Sequence, residues 1–364
     1  YSVTPLAKLD GMAGQLGLGG LFVKDESYRF GLNAFKVLGG SFAMAKYIAK
    51  EMGKDVSEMT YDYLTSKKFR DDFGQATFFT ATDGNHGRGV AWAANKLGQK
   101  AVVHMPKGST QTRFDNIAKE GASVTIEELN YDDCVRLAAK EAAETPHGVI
   151  VQDTAWDGYE EIPSWIMQGY GSMAGEAAEQ LREVEVNRPT HVFVQAGVGS
   201  LAGGVVGYFA NLYPNNPPKF IVMEAGAADC LYKGAEAGDG EPRIVGGDLQ
   251  TIMAGLACGE PNTIGWDILR NHVSAFISCP DWVSAKGMRM LAAPVKGDPS
   301  VTSGESGAVG MGVISSIMTD DAYKELREAL ELDNSSQVLM FSTEGDTDPD
   351  KYKKIVWGGE YPTV

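Results

Sequence analysis

The sequence predicts an α/β fold of two open, mostly parallel sheet domains with a cleft between them. Three observations carry that prediction. Short apolar, β-branched runs alternate with helical patterns of roughly 10–15 residues. Two glycine-rich turns each follow such a run and open a helix, and 364 residues exceed the usual size of one domain. Parallel strands need long crossover connections, which the helical segments between the runs supply.

Taken in order, Asn33-Ala34-Phe35-Lys36-Val37-Leu38-Gly39-Gly40 closes a short polar loop and opens an Ala-rich helix. Residues 77–81 read as a strand and 86–97 as a helix ended by Gly98. Strand 101–105, helix 111–120 closed by Gly121, strand 124–126, helix 131–144 and strand 149–151 repeat the unit. A long amphipathic helix over 163–185 follows, then strand 191–194, helix 201–211 and strand 220–223. Residues 226–265 are Gly-rich and aperiodic, as expected of an extended functional loop region, and 338–341 reads as a late strand rejoining the second sheet.

Hydrophobic residues make up 43% and charged residues 22%, ordinary values for a globular chain. The net charge of −16 argues against nucleic acid or an anionic membrane surface as a partner. No run of about 18 apolar residues suggests a membrane span. The chain opens at Tyr1 with neither a Met nor a signal-type apolar stretch, so further N-terminal residues are expected. Cys134, Cys230, Cys258 and Cys279 have no CxxC spacing, which suits buried thiols in a reducing cytoplasm, with a Cys230–Cys258 bridge left open. The five histidines show no ligand spacing, so no metal-ligating residue is assigned and metal-ion activation is left open.

In folds of this kind ligands bind beyond the carboxyl ends of the strands, where helix N-termini present N–H groups. Two turns fit: Thr82-Asp83-Gly84-Asn85-His86-Gly87-Arg88-Gly89, and Gln195-Ala196-Gly197-Val198-Gly199-Ser200-Leu201-Ala202-Gly203-Gly204. The second lets the backbone approach a phosphate closely, and Ser200 adds a hydroxyl. Close helix–sheet packing also selects small residues, so either turn alone is weak. A nicotinamide-binding reading is weakened by Ala at position 202, where G-x-G-x-x-G spacing asks for Gly, although Glu224 supplies an acid further on. Lys36, flanked by apolar residues, is placed where desolvation disfavours its charge and frees the amine for a Schiff base. A lysine snorkelling beside Phe35 is the alternative.

Together, the Lys36 loop, the Asp83–Gly87 turn and the Gly197–Gly204 turn resemble, in residue type and order, the fold-type II pyridoxal-phosphate enzymes. More narrowly, the chain resembles the diaminopropionate ammonia-lyases. The stretches that carry this are Lys24-Asp25-Glu26-Ser27, Thr82–Gly89, Gln152-Asp153-Thr154-Ala155-Trp156, Trp165–Tyr170 and Phe341–Asp348. That resemblance implies conversion of 2,3-diaminopropionate to pyruvate and two ammonia molecules, a small-molecule amino-acid substrate, pyridoxal 5'-phosphate as cofactor, a homodimer and a cytoplasmic location. Residues 1–51 with 172–364 are expected to form a large cofactor-binding domain and 52–171 a small one.

The resemblance also implies roles. Lys36 forms the Schiff base and takes the Cα proton from the L-enantiomer, while Asp83 takes it from the D-enantiomer. Related dehydratases have a serine where this chain has Asp83. A carboxylate there suits a substrate with a second ammonium, and a helix cap is its alternative role. Phe35 packs on the pyridine ring, Asn85 bonds the ring hydroxyl, and Gly197, Val198, Gly199, Ser200 and Leu201 cradle the phosphate. Ser342 or Thr343 meets the pyridine nitrogen, and Glu305 matches a glutamate near the ring or is a plain loop carboxylate. Asp153 is the second acidic residue for the β-ammonium, and Tyr159 and Tyr170 are candidates for the cleft wall. The rival readings are a serine or threonine dehydratase, a non-catalytic binding protein and a nicotinamide-dependent dehydrogenase.

Overall fold

The structure is a computed structural model that describes residues 1–82 and 84–363. Among the described residues, the strands in chain order are β1 (Leu6–Lys8), β2 (Gly20–Asp25), β3 (Thr77–Ala81), β4 (Lys100–Met105) and β5 (Ser123–Ile126), then β6 (Gly148–Ile150), β7 (His191–Gln195), β8 (Lys219–Ala225), β9 (Val273–Cys279) and β10 (Gln337–Ser342). Helices connect most of them, as the alternating pattern requires. By its contacts the chain divides into two compact units, Tyr1–Phe35 with Gly171–Val364, and Lys36–Tyr170.

The first unit holds a six-stranded sheet in the order β1-β2-β10-β7-β8-β9. Strands β1 and β2 pair antiparallel; the other pairings are parallel. Every residue of β7 and β2 is buried, as expected of central strands covered on both faces. The late strand read at 338–341 is β10, and it pairs with both β2 and β7. The core on one side of this sheet gathers Leu21, Phe193, Ile221, Met223, Met288, Val309, Ile314 and Val338, among others.

In β2, Lys24 is fully buried, and its ammonium is 2.7 Å from Glu176, which also pairs with Arg29 at 2.8 Å. Glu26 closes this neutral cluster through Arg29 at 2.9 Å. Of residues 226–265, expected to be an extended loop, Cys230–Ala237 is helical and Ala254–Leu256 forms a single tight turn of helix, while 241–253 has neither helix nor strand. All four cysteines are free and buried, so the Cys230–Cys258 bridge is not formed.

The second unit holds a fully parallel sheet in the order β5-β4-β3-β6. Its four strands lie where the alternation placed them. The first unit boundary falls at Phe35–Lys36 and not after position 51, because helix Val37–Glu51 lies on helix Asn85–Lys96. A Cβ at Gly89 would stand 2.8 Å from Val37 Cα, and one at Gly40 would stand 3.3 Å from Val90 Cγ2. Glycines at both positions therefore permit the two helices to pack backbone to backbone.

Candidate active site

In the second unit, Lys36 immediately precedes helix Val37–Glu51, and its ammonium donates to Asp153 Oδ2 at 2.7 Å. Asp153, just beyond β6, is buried, and its other oxygen accepts from Tyr131 Oη at 3.3 Å and Gln152 Nε2 at 3.3 Å. Burial alone would push this carboxyl upward. The Lys36 charge, the neighbouring His86 and the bonds from Lys36 and Tyr131 outweigh it and hold Asp153 well below the usual carboxylate range. His86, in the first turn of helix Asn85–Lys96, has its Nε2 2.8 Å from the Val151 carbonyl, and its Nδ1 lies 3.8 Å from Asp153. Gln152 accepts from the Ala81 N–H and Thr80 Oγ1, both at 2.9 Å, which ties the carboxylate's neighbourhood to β3.

Asn85 opens its helix at the carboxyl end of β3, and Asp83 lies outside the described residues. The Tyr159 hydroxyl accepts from the Gln152 N–H at 2.8 Å and donates to the Ile150 carbonyl at 3.0 Å, so it serves the local turn. Tyr170 is buried with its ring against Gly39, and that burial pushes its phenol far up.

In the first unit, β7 runs into the Gly197–Leu201 turn and helix Ser200–Leu212. Gly199 stands before that helix at φ +101, a left-handed value that glycine adopts without steric cost, and as a glycine it brings no side chain of its own to the helix N-terminus. Asn262 braces the turn: its N–H donates to the Val198 carbonyl at 2.7 Å and its Nδ2 to Ser200 Oγ at 2.7 Å. Beside it in the sheet, β10 ends at Ser342. The Phe35 N–H donates to the Thr343 carbonyl at 3.0 Å.

Ser342 Oγ is bonded to Ser303 Oγ at 2.8 Å, whereas Thr343 Oγ1 accepts from Gln195 Nε2 at 2.7 Å. Glu305 is buried near by: the Gly304 N–H of the same segment donates to the Glu344 carbonyl at 2.8 Å. Its carboxylate lies 3.6 Å from Lys351 Nζ. Glu224, the acid of the nicotinamide reading, is buried on β8 and accepts from the Leu231 and Tyr232 N–H groups at 2.9 and 2.6 Å. It therefore caps a helix, which removes the ribose role that reading needs.

The sequence profile of the family described as pyridoxal-phosphate dependent enzyme matches residues 1–344. The chain belongs to that family. It is 54% identical over 360 residues to the diaminopropionate ammonia-lyase of Salmonella typhimurium, covering 99% of this chain and 89% of that one. The Escherichia coli K12 diaminopropionate ammonia-lyase is 50% identical over 363 residues, with the same coverage. The crystal structure of the Escherichia coli diaminopropionate ammonia-lyase in complex with D-serine superposes with a TM-score of 0.93 at 48% identity, covering 100% of this chain and 90% of that one. Maize serine racemase, at 20% identity and a TM-score of 0.71, shares the fold. Within the family the chain groups with the diaminopropionate ammonia-lyases, and its fold is fold-type II.

The residues present suit pyridoxal phosphate by their chemistry. An amine at Lys36 matches the aldehyde, a helix N-terminus opened by Gly199 matches a phosphate dianion, and the buried hydroxyls of Ser342 and Thr343 match a ring nitrogen. The sequence placed Lys36 and Asp153 separately, and the fold brings them into contact across 117 positions. Tyr131, Gln195, Asn262 and Ser303 were missed. Each bonds a candidate residue from elsewhere in the chain, so no local spacing marks it. His86 lies within the Thr82–Gly89 turn, and its place there is the sequence signal for it.

Proposed function

We propose that this chain is a diaminopropionate ammonia-lyase that converts 2,3-diaminopropionate to pyruvate and two ammonia molecules. The observation that carries the proposal is 54% identity to such an enzyme over 99% of the chain. The chemistry supplied by bound pyridoxal phosphate is electron withdrawal that acidifies the substrate Cα–H.

Lys36 would hold the cofactor through its aldehyde, and its free amine accepts the Cα proton of the L-substrate. Asp83 accepts it from the D-substrate. The Cα–H electron pair becomes the Cα=Cβ bond, the Cβ–N bond breaks, and the β-nitrogen leaves as ammonia. The released enamine hydrolyses to pyruvate and the second ammonia.

Asp153, ionised and buried 2.7 Å from Lys36, makes its surroundings favour a cation. When Lys36 is engaged elsewhere, the substrate's second ammonium takes that role, which a neutral β-hydroxyl cannot do. Gly197 to Leu201 hold the phosphate, Phe35 and Asn85 the ring, and Glu305, neutralised by Lys351, stands near the ring. Of the two hydroxyls, Thr343 meets the pyridine nitrogen, because Ser342 is committed to Ser303.

A homodimer and a cytoplasmic location, both expected of the family, complete the proposal, and the four unbridged cysteines support the reducing location. The charge of −16 supports the expectation that nucleic acid is not a partner. Among the described residues no helix is long and apolar enough to cross a membrane. The dehydratase reading is weaker, since the threonine deaminase and L-serine ammonia-lyase matches fall to 18% identity.

The test is pyruvate release from L- and D-diaminopropionate, with L-serine and L-threonine alongside and pyridoxal phosphate added. Fast turnover of diaminopropionate with little on the hydroxy acids is expected. Preference for serine or threonine would replace this reading with a dehydratase.

A further inference from the structure

We propose that Gln195 is a positioning residue that fixes the Thr343 hydroxyl as a hydrogen-bond donor and thereby keeps the cofactor's pyridine nitrogen unprotonated. The inference rests on the reading above that Thr343 meets that nitrogen.

The orientation of the Gln195 side chain follows from its partners. Its Nε2 lies 3.0 Å from the Phe341 carbonyl and 2.7 Å from Thr343 Oγ1, and the residue is almost fully buried at 1% exposure. A carbonyl oxygen can only accept, so the atom facing Phe341 must be the NH2 and not the amide oxygen. An NH2 carries two hydrogens and no acceptor. One hydrogen goes to Phe341 and the other to Thr343, so Thr343 Oγ1 accepts.

A hydroxyl that accepts on one side still has a single proton to give. Among the described residues nothing takes the Thr343 proton, whereas Ser342, one residue earlier, is tied to Ser303 at 2.8 Å. The Thr343 hydroxyl therefore presents a donor to whatever group it meets. A ring nitrogen that receives a hydrogen bond keeps its lone pair and stays neutral. One that must donate has to be protonated first. Protonation would deepen the electron sink, so the direction of this single hydroxyl proton sets the electronic state of the cofactor. Gln195 sits at the end of β7, directly before the phosphate turn, and Thr343 follows β10, its neighbour in the sheet. The parallel pairing, which runs to Met340 opposite Phe193, brings the amide and the hydroxyl to the same end of the sheet.

Replacing Gln195 with Glu reverses the polarity with almost no change in shape. A carboxyl has at most one hydrogen, which the Phe341 carbonyl claims. In Gln195→Glu the Thr343 hydroxyl must therefore donate to the new carboxyl oxygen and turn its own lone pair toward the ring. Gln195→Met removes the donor altogether and serves where the carboxyl variant does not fold.

The experiment reconstitutes the protein with pyridoxal phosphate labelled with 15N in the ring and reads the nitrogen shift by NMR, with cofactor affinity measured in parallel. The wild type should show the downfield resonance of an unprotonated pyridine. Gln195→Glu should move it upfield to the protonated position. Gln195→Met should weaken cofactor binding roughly fivefold, the loss of about one hydrogen bond, and let the shift titrate with pH. Thr343→Val separates the two layers. If it leaves the wild-type shift unchanged, Thr343 does not meet the nitrogen and the underlying reading fails. If it moves the shift while neither Gln195 variant does, that reading stands and the role of Gln195 is overturned.

Discussion

Gly89→Ala tests whether the placement of Lys36 depends on backbone-to-backbone packing of two helices. The added methyl would stand 2.8 Å from Val37 Cα, 2.9 Å from Val37 N and 3.3 Å from the Lys36 carbonyl carbon. Carbon atoms in good contact sit about 3.5–4.0 Å apart, so the helices must separate by roughly 0.7 Å or more. The obstructing atoms are main chain and cannot rotate aside. Overpacking of this kind costs about 1–3 kcal/mol, and the upper half of that range applies here. Alanine returns about 1 kcal/mol of helix propensity, which leaves a net loss of about 1–2 kcal/mol.

Gly14→Ala is the matched control. Gly14 is exposed in helix Asp10–Leu16 with nothing among the described residues within 4 Å of an added methyl, so propensity alone should act and stabilise by about 1 kcal/mol. Urea midpoints by circular dichroism read the stability difference. Absorbance of the lysine-bound cofactor reads whether Lys36 has moved with its helix. Gly89→Ala should unfold earlier and take up pyridoxal phosphate more weakly, with Gly14→Ala changed in neither direction for uptake. A Gly89→Ala protein as stable as Gly14→Ala and fully loaded with cofactor would refute that expectation.

Other outcomes follow from the same geometry. Burial raises the Glu176 carboxyl, but hydrogen bonds from Arg29, Lys24 and Tyr1 outweigh it and bring it down to about 2. A depressed carboxyl contributes fully above its unfolded value of about 4.3, and that stability is lost as pH falls through about 2. Acid titration of thermal unfolding should show this loss, and Glu176→Gln should flatten it while costing about 3 kcal/mol at neutral pH by leaving buried cations unpaired. Glu224, pushed up to about 8 by burial, acts in the opposite sense: its contribution is full below about 4.3 and is lost as pH rises through about 8. Glu224→Gln should remove that alkaline loss when thermal unfolding is followed upward through about pH 8. Asp83→Asn should depress pyruvate release from D-diaminopropionate far more than from the L-form, and equal full activity on both would remove Asp83 from the reaction.

The four-stranded unit was legible because its strands and helices alternate in sequence and pair with near neighbours. Strand β2 was not read as a strand, since Lys24 and Asp25 look like loop residues until Glu176, far along the chain, neutralises Lys24. Strand β9 hid because it forms one edge of its sheet and most of its residues are only half-buried, with no clean alternation. Lys36 and the Gly197–Leu201 turn announced themselves through residue type and order. Their supports did not, because an amide such as Gln195 or Asn262 has meaning only once the fold supplies its hydroxyl partner. The sequence leaves Ser342 and Thr343 equal, because the Ser342–Ser303 bond that supports the proposal for Thr343 joins segments far apart in the chain.

The most direct test of the central claim is the ratio of ammonia to pyruvate released from 2,3-diaminopropionate by the pyridoxal phosphate-loaded protein. Two ammonia molecules per pyruvate are expected, with the activity abolished in Lys36→Ala. Absence of pyruvate, or turnover that survives the loss of Lys36, would contradict it.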